Sequence, residues 1–119
     1  MANGNTLHIV NYFGEPIDAV ITNNNWNCCD NPSQGQTIGL IQPDQQVELF
    51  FCRKDGHGCN GQQGVFQIGL NSNMLVNLNF DSGGNMGGIS TSGGFGAYMA
   101  QDPDGTYSLI VGPQPVGTA

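Results

Sequence analysis

Apolar and polar residues alternate with a period of two along most of this chain. Leu7, Ile9, Asn11 and Phe13 alternate with His8, Val10 and Tyr12, and Gly14-Glu15-Pro16 then turns the chain into a second run, Ile17 to Thr22. Further apolar runs follow at Gln46 to Cys52, Val65 to Leu70, Met74 to Phe80, Gly96 to Ala100 and Tyr107 to Val111. Each has the length of a strand and is bounded by Gly, Pro, Asn or Asp, the residues that turns require. Asn71-Ser72-Asn73 reads as a short hairpin loop and Asp102 to Thr106 as another. No window carries a helical apolar stripe with caps. The pattern predicts an all-β, single-domain antiparallel β-sandwich of about seven to eight short strands. That domain is expected over residues 1–111, with 112–119, which holds Pro113 and Pro115, as a loose C-terminal tail. Asn23 to Gly35 and Asp81 to Gly94 are expected as long loops, and loops of such length are usually functional or mobile.

Composition narrows the partners. The chain has 119 residues, 38% hydrophobic and 9% charged, with nine acidic against two basic side chains and a net charge of -7. Binding to nucleic acid needs several cations to displace condensed counterions, and this chain lacks them. The same sign argues against electrostatic adhesion to anionic membranes. A sugar or a neutral or zwitterionic lipid headgroup remains open. The opening MANGNTLHIV lacks the charged and apolar regions of a signal peptide, so a cytoplasmic or non-classically released protein is expected.

The two basic residues, Arg53 and Lys54, sit together in FCRKDGHGCNGQQG, Phe51 to Gly64, with His57, Cys52 and Cys59. Gly56 to Gly61 matches G-x-G-x-x-G, but a dinucleotide site needs a helix to open there, and another strand-like run follows. The adjacent pair Cys28-Cys29 and the distant pair Cys52 and Cys59 do not have the knuckle spacing of a zinc site. Disulfides among Cys28, Cys29, Cys52 and Cys59, or buried thiols, fit better. His57 and Cys59 stand two residues apart in a glycine-rich loop, which assures no nucleophile–base geometry. The Asp-Gly stretches at 81–85 and 102–105 lack the ligand series of a calcium loop. No catalytic residue, metal or cofactor is therefore expected, and the protein reads as a non-enzyme. Trp26, alone among asparagines, suits a sugar-stacking platform, a membrane-interface anchor or a lid over the barrel end.

In order along the chain, four features resemble the aegerolysin family, nearer its bacterial crystal-toxin branch. These are the opening strand Leu7 to Asn11 with the second strand Ile17 to Thr22, then the polar loop with Trp26 and Pro32. Next come Gly61-Gln62-Gln63-Gly64-Val65-Phe66 stepping into a strand, and Val76 to Asp81 with Gly84-Asn85. The resemblance implies a small acidic β-sandwich that binds a membrane lipid headgroup without enzymatic activity. It also implies a targeting role for a larger, separate pore-forming toxin partner. Trp26, Asp81 and Asn85 carry over as ligand-binding candidates. Chemistry adds Arg53, Lys54 and His57, which could meet a phosphate-bearing headgroup, and Tyr98 and Tyr107 as aromatic edges. A carbohydrate-binding, lectin-like module and a disulfide-stapled structural or inhibitor protein are the competing expectations.

Overall fold

The computed structural model describes residues 4–24, 28–53, 63–71, 73–81 and 83–113. Within them the chain forms ten strands: β1 (Gly4–Asn11), β2 (Ile17–Asn24), β3 (Cys29–Asn31), β4 (Thr37–Ile41), β5 (Gln46–Arg53), β6 (Gly64–Leu70), β7 (Met74–Phe80), β8 (Met86–Ser92), β9 (Gly96–Gln101) and β10 (Tyr107–Gly112). They make two five-stranded sheets, one in the order β3-β5-β1-β10-β9 and the other β4-β2-β6-β7-β8. The sandwich expected from the alternation is what the chain adopts.

Alternation sets the inner faces. Leu7 and Ile9 of β1, Leu49 and Phe51 of β5, and Leu109 and Val111 of β10 point inward from the first sheet. Ile17, Ala19, Ile21, Phe66, Ile68, Val76, Leu78 and Phe80 meet them from the second. At one end the rings of Phe51, Phe66, Phe80 and Tyr107 form a cluster, with Phe51 and Phe80 edge to face at 4.9 Å. Each such ring or branched side chain, fully buried, stabilises by about 1.5–3 kcal/mol.

Two details depart from the expectation. β1 and β10, the first and last strands, pair in parallel from Leu7↔Tyr107 to Asn11↔Val111. A parallel pair cannot be joined by a tight hairpin, and the whole chain lies between these two. The strands also number ten, because β3, β4 and β8 occupy stretches without a legible period. β3 has only three residues. β4 is interrupted by Gly39 at φ +112°, and the seven residues of β8 lie half-exposed or exposed. The two expected loops therefore each contain an edge strand.

Candidate functional site

The residues singled out in the sequence fall in different places. Trp26, Lys54, His57 and Cys59 lie outside the described residues. Arg53 continues the inward row of β5 after Leu49 and Phe51 and is only 9% exposed, so its charge sits inside the end of the sandwich. Asp81 follows β7 at that same end. Its Oδ1 accepts the N–H groups of Gly83 and Asn85, both at 2.9 Å, while the Asp81 N–H donates to Asn85 O at 2.9 Å. The backbone N–H of Asn85 is the main cause holding this carboxyl below its usual value, and the nearby Arg53 charge adds a smaller pull. Asp81 and Asn85 are thus brought together, each bonded chiefly to the other to close the β7–β8 turn. Asn5 Nδ2 joins this end by donating to Gly84 O at 2.9 Å and Gly105 O at 3.0 Å.

The remaining candidates separate. Tyr107 is buried among the core rings, whereas Tyr98 is 49% exposed on the outward side of β9. Cys28 is disulfide-bonded. Cys29 and Cys52 are thiols, and Cys29 Sγ donates to Asn31 O at 3.2 Å. Of the disulfides expected among the four cysteines, those through Cys29 or Cys52 are therefore not formed. Among the described residues no group of three or more His, Cys, Asp or Glu side chains converges as a metal site would require.

Among the described residues, a depression suited to a ligand lies elsewhere, on the outward face of the second sheet. There the alternation that turns Phe66, Ile68, Val76, Leu78 and Phe80 inward turns Gln67, Asn77 and Asn79 outward on neighbouring strands. Gln67 and Asn77 are direct cross-strand partners. Gln67 Nε2 donates to Asn77 Oδ1 at 2.9 Å, and Thr22 Oγ1 donates to Gln67 Oε1 at 2.6 Å. One strand-pair further along, Asn79 Nδ2 donates to Gln63 Oε1. Its Oδ1 accepts Gly88 N at 2.6 Å, drawing β8 against β7.

These amides line two adjoining depressions. One, of about 340 Å³, lies over Val65, Asn77, Asn79, Gly88 and Ser90. The other, of about 170 Å³, lies over Asn23, Asn24, Val65, Gln67 and Asn77. Val65 and Asn77 belong to both, so the two make one shallow groove across β2, β6, β7 and β8. Among the described residues its lining contains no ionisable side chain. Asn24 Nδ2 donates to Pro32 O at 2.9 Å, while its Oδ1 is buried with no hydrogen-bond partner among the described residues.

Sequence reasoning passed over this groove because outward polar positions in a strand ordinarily face water. The usable signal was that two adjacent strands spend those positions on amides, not on charged residues. No protein-family model matches the chain, and no curated protein matches it significantly.

Proposed function

We propose that this protein is a non-enzymatic binding module for a neutral, hydroxyl-rich ligand, the sugar portion of a glycan or a glycolipid. The uncharged amide groove on the second sheet carries the reading. An amide offers both a donor and an acceptor, and so does a sugar hydroxyl. The cross-strand bonds from Thr22 to Gln67 and from Gln67 to Asn77 hold those amides in place before any ligand arrives. Such preorganisation lowers the entropic cost of binding. Val65, 39% exposed at the middle of the groove, supplies an apolar surface for the C–H face of a sugar ring.

Chemistry favours a neutral headgroup over a phosphate, because Arg53 is turned into the sandwich. Where a membrane lipid carries the sugar, the aegerolysin-like reading follows. The chain would then mark membranes for a separate pore-forming protein.

Immobilised neutral oligosaccharides and phosphatidylcholine vesicles with and without neutral glycolipid test this directly. Binding to the sugars or to the glycolipid vesicles is expected. Asn77→Ala or Gln67→Ala should weaken it about tenfold, the loss of about 1–1.5 kcal/mol that a hydrogen bond contributes. Soluble sugar competing with the vesicles would place the sugar, not the bilayer, as the ligand. Binding that both substitutions leave unchanged, or equal binding to phosphatidylcholine alone, would overturn the proposal.

A further inference from the structure

Four strands end the two sheets, β3 and β4 on one side of the sandwich and β8 and β9 on the other. A strand edge presents a row of unpaired N–H and C=O groups, and sheets normally blunt it with shortness, bulges, proline or charge. β3 is three residues long, pairs through a register shift and runs into Pro32. β4 meets β2 through a shift at Ala19/Val20, and β8 meets β7 through one between Leu78 and Phe80. β9 carries none of these devices. It pairs with β10 without interruption from Gly96↔Gly112 to Gln101↔Tyr107. The stretch from Met86 to Gln101, which supplies both edges on this side, contains no charged residue in a chain of net charge -7.

The phase of the ladder follows from its turn. Asp102 N donates to Thr106 O at 2.7 Å, and hydrogen-bonded and non-hydrogen-bonded pairs alternate along an antiparallel ladder. Ala100, Tyr98 and Gly96 therefore bond to β10, while Ala97, Met99 and Gln101 turn their N–H and C=O groups to the open side. No other backbone hydrogen bond among the described residues uses them.

We infer that β9 is a dimerisation edge, on which the β9 of a second copy pairs antiparallel about a two-fold axis through Met99. That register sets Met99 opposite Met99 and Ala97 opposite Gln101, engaging every open-side group of the strand in roughly six backbone hydrogen bonds. It also sets Tyr98, half exposed on the outward face, across from Ala100 of the second copy, a large side chain over a small one. The axis stands perpendicular to the sheet, so both copies present the outer face of the second sheet on the same side of the dimer. The inference is independent of the ligand proposed above.

Sedimentation velocity from micromolar to submillimolar protein tests it, with Ala97→Pro and Tyr98→Glu as variants. Proline at Ala97 removes an N–H that the monomer does not use, and Glu at Tyr98 brings like charges together on the paired face. The wild type is expected to dimerise, and each variant to raise the dissociation constant at least about tenfold, with circular dichroism unchanged. Amide exchange in the wild type provides a readout that no variant can confound. The Met99 and Ala97 amides should exchange at least about tenfold more slowly at high than at low concentration. A monomer at every concentration would overturn the inference. So would a dimer that persists in folded Ala97→Pro, or exchange at these amides that ignores concentration.

Discussion

Asn11 shows how much one polar side chain can do inside a sandwich. It occupies the inward row of β1 and has no exposed surface. Its Nδ2 donates to Glu15 O and Ile41 O, both at 2.9 Å, and its Oδ1 accepts Phe13 N at 2.7 Å. One side chain therefore ties the end of β1, the β1–β2 turn and the end of β4. Asn11→Leu would fill the same space and leave those three backbone groups without this partner, the Ile41 carbonyl fully buried. A loss of about 2–4 kcal/mol in urea unfolding is expected, and a change below about 0.5 kcal/mol would show that water replaces the side chain at no cost. The alternation of Leu7, Ile9 and Asn11 correctly pointed this residue inward. It could not say what the amide bonds to, since the partners come from turns distant in sequence. Arg53 is the converse case. As the only cation beside Lys54 it read as a docking group, although its parity with Leu49 and Phe51 already put it on the core side.

At the scale of elements, what was legible depended on whether a strand has one buried and one open face. β1, β2, β5, β6, β7, β9 and β10 were all recognised, because a buried face imposes a period of two. β3 and β8 were hidden inside expected loops, being too short or too exposed for burial to impose any pattern. The β7–β8 turn has a property of its own. Asp81 ionises below the ordinary carboxylate value because its charged form accepts the Asn85 and Gly83 N–H groups. A depressed pKa contributes stability above the ordinary carboxylate value, and that contribution is lost as pH falls through the depressed one. Asp81→Asn keeps an acceptor for those N–H groups and removes the charge. The variant is expected to be less stable than the wild type at neutral pH, with the difference shrinking below about pH 4. Thermal unfolding across that range checks this, and a difference independent of pH would mean that the carboxylate charge contributes nothing to the turn.

For the whole molecule, charge and chemistry are distributed unevenly. The core ring cluster, Arg53 and the Asp81 turn lie toward one end, and the uncharged β8–β9 side faces away from β3 and β4. The outer face of the second sheet carries a neutral amide groove that no loop motif announced. The long-range arrangement was illegible for a physical reason. Gln67, Asn77, Asn79 and Thr22 become a site only when β2, β6 and β7 pair in one register, which a single sequence does not display. The most direct test of that site is the side-chain NH₂ spectrum of ¹⁵N-labelled protein titrated with a mixture of neutral mono- and oligosaccharides. Shifts concentrated at Asn23, Gln67, Asn77 and Asn79 are expected, with the Asn11 NH₂ signals unmoved. Shifts absent from those four amides, or confined to the face that bears Tyr12 and Tyr98, would contradict the assignment of this groove as the binding site.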